Sequence, residues 1–344
     1  MNKTKVIVVD DSALMRKIIS DIINSNDEME VINTCRNGED LLNKLNIQKP
    51  DVITLDVEMP KMDGITTLDK MKEENYNIPV IMLSSISKRG TALTMECLEK
   101  GAFDFIAKPS GSISLDIEKV GEELISKIKL AYSKAVHSDR TTALKKEYKP
   151  KRLPEKNKKI NAVVIGSSTG GPKALYKVVT ELPADIGVPV FIVQHMPVGF
   201  TKAFAERLNS NSRIKVVEAK DGENVEKNVV YIAPGGFHME VGMDKRIHLN
   251  TETPIWGVRP AVDKLFISAA KVYGEHVLGI VLTGMGKDGA QGIVAVKNSG
   301  GITISEDKST CTIYGMPRAA YETGKVDEVL PIGDIASAIV KNTK

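Results

Sequence analysis

Cysteine is scarce in this chain. The 344 residues hold three, Cys35, Cys97 and Cys311, far apart and odd in number. That excludes a disulfide framework and any thiolate metal spacing, and it points to a reducing compartment. Long apolar runs are missing too. No stretch has the length needed to span a bilayer, and Met1-Asn2-Lys3-Thr4-Lys5-Val6 enters a strand-like run without a signal-peptide pattern. The expectation is a soluble cytoplasmic protein, not membrane-embedded. Charge of either sign is not in excess: 47 Lys and Arg stand against 44 Asp and Glu, a net +3. Nucleic-acid binders carry a concentrated basic face, so nucleic acid is not expected as a partner. No helix-turn-helix is recognisable in the C-terminal half. Gly-Lys-[Ser/Thr] does not occur after a glycine-rich turn, which removes the P-loop reading. What is present is ample apolar material, 42% of residues, and a length that favours two domains.

In the first half, short apolar runs alternate with helix-like segments. Val6–Val9, Glu30–Ile32, Val52–Leu55, Val80–Leu83 and Phe103–Ala107 precede helix candidates at Ser12–Ser25, Gly38–Asn46, Gly64–Glu74, Lys88–Lys100 and Leu115–Lys134. Such alternation means βαβ units and a parallel sheet, here a (βα)5 unit. Right-handed crossovers put every strand C-terminus on one edge, where open α/β sheets bind ligands. On that edge stand Asp10-Asp11, Asp56, Ser84-Ser85 and Lys108-Pro109. One aspartate at a strand end reads as turn chemistry. Three together repel one another and suit a hard divalent cation, and Mg²⁺ with oxygen ligands fits. A lysine and a hydroxyl beside them could hold the oxygens of a phosphoryl group on one carboxylate.

The pattern breaks down over residues 131–159, where ten basic residues face only Asp139, Glu147 and Glu155, punctuated by Pro150 and Pro154. This reads as a charged, solvated linker containing His137. The sharper alternative is a contact with an anionic membrane surface or partner.

In the second half, Ala162–Ile165 runs into Gly166-Ser167-Ser168-Thr169-Gly170-Gly171-Pro172 and then a helix-like segment, Lys173–Leu182. The Gly-x-Ser-x-Gly pattern fits a sharp, strained turn that exposes a nucleophilic serine. Backbone N–H groups at the helix start could hold an oxyanion or a phosphate. Val188–Val193 ends in Gln194-His195-Met196-Pro197, and Val277–Leu282 ends in Thr283-Gly284-Met285-Gly286-Lys287-Asp288-Gly289. Lys215–Glu218 and Val229–Ile232 read as short strands, Phe237–Asn250 as a hairpin, Val262–Val272 as a helix and Ile302–Ser305 as the last core strand. Parallel strands would bring Ser168, His195 and Asp288 to one edge as nucleophile, base and orienting carboxylate. A lone histidine is usually structural, and His238 competes with His195. Asp288 alone could be a turn or N-cap residue.

Two resemblances bear on these readings. Val8-Val9-Asp10-Asp11-Ser12, Asp56-Val57-Glu58-Met59-Pro60, Asp63-Gly64, Ser84 and Lys108-Pro109 resemble a response-regulator receiver domain over about residues 3–125. The resemblance implies that Asp56 is the phosphoacceptor. It implies Mg²⁺ ligation by Asp11, Asp56 and the Glu58 carbonyl, with Asp10 acting mainly through water. Ser84 and Lys108 would sense the phosphoryl group, and Phe105 takes the aromatic switch position or is a plain core residue.

The glycine-rich serine turn, Gln194-His195-Met196-Pro197, Ala233-Pro234-Gly235-Gly236, Gly257-Val258-Arg259-Pro260-Ala261-Val262-Asp263 and Thr283–Gly289 resemble the catalytic domain of the chemotaxis protein-glutamate methylesterase family, over about residues 160–342. This implies a doubly wound, predominantly parallel α/β domain with a hairpin. The implied layout is a receiver domain at 1–130, a linker at 131–159 and a methylesterase domain at 160–344. It implies that Ser168, His195 and Asp288 form the triad, that the backbone N–H of Met285, with that of Thr169, serves the oxyanion, and that His238 lies behind or beside the substrate. The implied activity is hydrolysis of glutamate methyl esters, and deamidation of glutamines, on methyl-accepting chemoreceptors. A chemotaxis histidine kinase would donate the phosphoryl group, the receiver domain would block the Ser168 edge until phosphorylated, and the protein would be a monomer. No metal is implied for the hydrolysis. Two positions depart from the family pattern: Ser167, often Ala, and Trp256, more often polar.

Overall fold

A computed structural model describes residues 3–108, 115–138 and 159–344. The chain forms two compact units, residues 1–146 and 147–344.

The first unit contains β1 (Thr4–Val9), α1 (Ala13–Asn24), β2 (Met29–Cys35), α2 (Gly38–Leu45), β3 (Val52–Asp56), α3 (Gly64–Glu73), β4 (Val80–Ser84), α4 (Lys88–Lys100), β5 (Asp104–Ala107) and α5 (Leu115–Ser138). Its strands pair in the order β2-β1-β3-β4-β5, all parallel. β3 and β4 are buried along their whole length, as strands covered by helices on both faces must be. Local chemistry starts the helices: Ser12, Asn37, Asp63 and Ser87 each accept a first-turn amide at the N-cap of α1 to α4. Val6, Val8, Ile19, Ile23, Ile81 and Leu83 form the core with Leu124, Ile128 and Ala131 of α5. That last stripe, at i, i+4 and i+7, draws α5 to Ser138, four residues past the expected Lys134. Residues 131–138, read as the start of the linker, therefore belong to this helix, and His137 lies in its last turn. The rest of the expected linker, 139–158, falls outside the described residues.

The second unit contains β6 (Ala162–Ser167), α6 (Gly171–Glu181), β7 (Val190–Gln194), α7 (Phe200–Asn211), β8 (Lys215–Glu218), β9 (Val229–Ile232), β10 (His238–Val241) and β11 (Ile247–Asn250). There follow α8 (Val262–Tyr273), β12 (Val277–Val281), α9 (Ala290–Asn298), β13 (Ile302–Glu306), α10 (Met316–Glu322), β14 (Glu328–Leu330) and α11 (Ile332–Thr343). β10 and β11 form an antiparallel hairpin. The other seven strands make one parallel sheet, ordered β14-β13-β12-β6-β7-β9-β8. One further strand follows Ile302–Ser305, the expected last core strand, and it is half-buried at the sheet edge. This strand, β14, is paired to β13 through Ile304, Ser305 and Glu306. The strand order reverses at β6, so the loops after β6, β7 and β12 flank the point where the chain winds away in both directions. Ligands of open α/β sheets bind at such a switch point. At Gly166 a Cβ would stand 2.3 Å from Val262 Cγ1, so β6 and the start of α8 touch there.

Candidate active site

The serine turn follows β6 directly. Ser168 N–H donates to the Thr283 carbonyl at 3.0 Å, and Gly171 N–H returns to the Ser168 carbonyl at 2.7 Å. The turn differs from a strained elbow in one respect. Its left-handed residue is Gly170, φ 79°, the N-cap of α6, and Ser168 is not among the described residues with positive φ. The glycine absorbs the backbone turn, so the serine is presented without left-handed strain. Ser168 and His195 are both half-buried, hence reachable from solvent.

His195 follows β7. Its Nε2 lies 2.8 Å from Asp288 Oδ2. An ionised carboxylate only accepts, so this contact puts the ring proton on Nε2 and leaves Nδ1 as the basic nitrogen. Among the described residues no hydrogen bond joins Ser168 Oγ to His195. Catalytic hydrogen bonds of this kind often tighten only in the substrate complex.

Asp288 is buried and serves a second purpose. Its Oδ2 also accepts Val262 N–H at 2.7 Å, and its Oδ1 accepts Asp263 N–H at 2.9 Å. Those amides open α8, so Asp288 caps that helix from outside it. Asp263 returns the arrangement on α9: its Oδ1 accepts Gly289 N–H at 2.9 Å and Gly292 N–H at 2.7 Å. Each acid therefore sits in the positive field of the other's helix start. Burial raises the cost of charge on Asp288, but His195 and the two amides outweigh it and hold its carboxyl below the usual range. Burial and the neighbouring Asp288 push Asp263 upward. Asp263 Oδ2 accepts Trp256 Nε1–H at 3.2 Å, and Lys287 Nζ lies 3.9 Å from the centre of that indole ring. Asp263 had no assigned role in the sequence, although it closes the Gly257–Asp263 stretch that carries the family resemblance and stands in the first turn of an expected helix.

The loop from Thr283 to Gly289 is bolted to the serine turn. Thr283 Oγ1 donates to the Thr169 carbonyl at 2.9 Å, and buried Glu306 accepts Thr283 N–H at 2.8 Å. A Cβ on Gly284 would stand 2.8 Å from Ser168 Cβ, so this loop lies against the serine with Met285 half-exposed beside it. Thr169 N–H makes no hydrogen bond among the described residues.

His238 is not a rival base and does not line a substrate surface. It is fully buried. Its Nδ1 accepts Ala261 N–H at 3.2 Å and its Nε2 donates to the Thr253 carbonyl at 3.2 Å. Both nitrogens are committed to bracing the loop that leads into α8. Burial, the strongest influence, pushes its pKa down. Ser167 likewise faces away from the reaction edge and donates to Gln194 Oε1 at 2.8 Å.

In the first unit, Asp10, Asp11 and Asp56 bring one oxygen each within 4.8 Å of one another. Lys108 Nζ reaches Asp10 Oδ2 at 2.8 Å and Asp56 Oδ2 at 2.7 Å. Burial pushes Asp56 up to about 6 against the pull of Lys108. Glu58 N–H lies 3.4 Å from Asp56 Oδ1. Ser84 is drawn aside: its hydroxyl lies 2.5 Å from Thr94 Oγ1 and 3.2 Å from the Gly90 carbonyl, both on α4. Among the described residues its hydroxyl makes no hydrogen bond to Asp56 or Lys108, although its carbonyl accepts the Lys108 N–H at 2.7 Å. Phe105 is buried, with Lys127 Nζ 5.4 Å from its ring centre and bonded to its carbonyl.

Comparison with known proteins adds to this geometry. Residues 163–339 match the family described as CheB methylesterase, and residues 6–117 match the response regulator receiver domain. A protein-glutamate methylesterase/protein-glutamine glutaminase from Clostridium acetobutylicum is 58% identical across 99% of this chain and 98% of its own length. One of the same description from Pyrococcus horikoshii is 46% identical across 98% of this chain and 93% of its own. The crystal structure of the Thermotoga maritima CheB methylesterase catalytic domain is 45% identical and covers 53% of this chain and 98% of its own, with a TM-score of 0.52.

Proposed function

Because the chain belongs to the CheB methylesterase family and carries a receiver domain, we propose that it hydrolyses glutamate methyl esters on chemoreceptor helices under phosphorylation control. One observation carries the hydrolase half: His195 is held by Asp288 through Nε2, with Ser168 on the neighbouring strand end where the sheet order reverses. His195 Nδ1 takes the Ser168 Oγ proton as Oγ attacks the ester carbonyl. The backbone N–H groups of Thr169 and Met285 stabilise the oxyanion, and one such donor is worth roughly 100- to 1000-fold in rate. The imidazolium returns its proton to the leaving methoxide, which departs as methanol. Water then gives its proton to His195 and attacks the acyl-enzyme, releasing glutamate and restoring Ser168. With a glutamine side chain the leaving group is ammonia. Asp288 stays ionised throughout, orienting the ring and stabilising its cation. None of these steps draws on a metal.

The receiver half has its own chemistry. Asp56 is the acceptor of a phosphoryl group from a chemotaxis histidine kinase. Three clustered carboxylates face one ammonium there, an excess that fits a hard divalent cation such as Mg²⁺. Asp10, Asp11, Asp56 and the Glu58 carbonyl would hold the ion, which would offset the charge of the phosphoryl group. Lys108 binds a phosphoryl oxygen, and Ser84 joins it on leaving α4 as Phe105 repositions. The receiver domain, extended to the end of α5, restrains the hydrolase until phosphorylated. The protein works as a cytoplasmic monomer. No helix among the described residues is long and apolar enough to cross a membrane.

The test is methanol release from methylated receptor, with and without a small phosphodonor. Ser168→Ala should abolish release, and Asp56→Asn should leave it insensitive to the phosphodonor. Undiminished release by Ser168→Ala, or full activation of Asp56→Asn, would overturn the corresponding half.

A further inference from the structure

Ser167 and Gln194 are the last residues of β6 and β7, and they are register partners across the parallel pair. The next residue on each strand is a member of the proposed triad. Both side chains are buried, at 0% and 2% exposure. Gln194 spends both its amide donors, and its amide oxygen, between the two loops. Its Nε2 donates to the Ser168 carbonyl at 3.0 Å and to the His195 carbonyl at 2.9 Å. Its Oε1 accepts the Ser167 hydroxyl at 2.8 Å. His195 N–H returns to the Ser167 carbonyl at 3.1 Å. The pattern admits one orientation of the amide: an oxygen aimed at two carbonyls would repel both, and the hydroxyl donor marks where the oxygen belongs.

The space for this amide is built in. A Cβ on Gly171 would stand 1.9 Å from Gln194 Oε1 and 2.9 Å from Ser167 Oγ. Only glycine lets α6 begin directly over the amide. The result is a short buried clamp whose ends are the backbone carbonyls of nucleophile and base.

We propose that Gln194, oriented by Ser167, is a positioning residue that sets the alignment of Ser168 Oγ with His195 by tying their backbones to one amide. Proton transfer and attack depend on sub-ångström placement, and a misplacement of about 1 Å costs about 100-fold in rate. Neither side chain touches the substrate, so the clamp acts on the chemical step and not on binding. The inference rests on Ser168 and His195 being the reacting pair, which Ser168→Ala tests separately.

The experiment uses the full chain with phosphodonor and measures kcat and KM for methanol release in Gln194→Met, Ser167→Ala and the double variant, alongside thermal unfolding. Gln194→Met keeps side-chain length but donates nothing. It should lower kcat by about 100-fold with KM within about twofold. Ser167→Ala should lower kcat several-fold by freeing the amide to turn, and it should have no further effect on kcat once Gln194 is gone. A kcat for folded Gln194→Met within threefold of the parent overturns the proposal. So do effects that multiply in the double variant. If Gln194→Met does not fold, Ser167→Ala decides alone: an unchanged kcat overturns the clamp.

Discussion

Replacing Asp288 with asparagine separates a catalytic carboxylate from a helix cap. The native group accepts three hydrogen bonds, from His195 Nε2 and Val262 N–H on one oxygen and from Asp263 N–H on the other. Asparagine has one acceptor oxygen and one donor NH₂, so it cannot reproduce this set. With its oxygen toward His195, its NH₂ meets Asp263 N–H, donor against donor. That leaves a buried amide unpaired at a cost of about 1–3 kcal/mol in stability. With its NH₂ toward His195, the ring must accept at Nε2, and its proton moves to Nδ1, the nitrogen that has to take the Ser168 proton. In both poses the negative charge that stabilises the imidazolium is gone. Loss of the carboxylate from such a triad lowers turnover by roughly 1000- to 10,000-fold, about 4–5 kcal/mol of barrier at 1.36 kcal/mol per decade. The assay is methanol release by phosphodonor-activated Asp288→Asn, with the folded fraction measured by thermal unfolding at the same temperature. A lowered midpoint with kcat within tenfold of the parent would refute the catalytic assignment and leave Asp288 as a cap alone.

Other expectations follow from the same geometry. His238 is held neutral, with its pKa pushed below the ordinary histidine value. The folded state therefore binds fewer protons than the unfolded chain, and stability should fall as pH drops through about 6.5. Emission of Trp256, the single tryptophan, can follow unfolding of this unit; a parent and a His238→Gln variant with equal pH slopes between 7 and 5 would contradict the assignment. Mg²⁺ at ten times its dissociation constant should stabilise the receiver unit by about 1.4 kcal/mol. Asp11→Asn should lose most of that gain, and an unshifted parent midpoint would count against the cation site. Trp256, 47% exposed, packs under Lys287, the residue before Asp288, and donates to Asp263. Trp256→Ala should raise KM for methylated receptor about tenfold, the loss of one aromatic anchor, with kcat for a small activated ester unchanged; an unaltered receptor KM would remove Trp256 from recognition.

The alternation of apolar runs with helical segments was enough to expect the parallel sheet of the first unit, because buried parallel strands advertise themselves as continuous apolar runs; that of the second was expected from the family resemblance. The tail was harder to read. β14 is three half-buried residues, too short to show a period, and α10 has only seven residues. The candidate triad was legible because Ser168 and His195 come directly after strands, Asp288 lies in the glycine-rich loop after a third, and the family resemblance singles out these three. What closes around it was not. His238 is settled by Thr253 and Ala261, 15 and 23 residues away, and no local pattern carries such partners. Ser167 is a different case. Neighbours on a strand point to opposite faces, so its divergence from Ser168 was available in the sequence once β6 was extended to residue 167.

The reciprocal caps of α8 and α9 make the three members of the site unequal in what their loss entails. Ser168 Oγ has no hydrogen bond among the described residues, so its removal leaves packing intact. Asp288 holds the start of a helix whose own acid holds the start of the next, and its removal loosens both. A lineage of this scaffold drifting from catalysis toward mere binding would therefore shed its serine first and keep its aspartate longest. An aspartate retained at this position without the serine would be a mark of inherited architecture and not of residual chemistry.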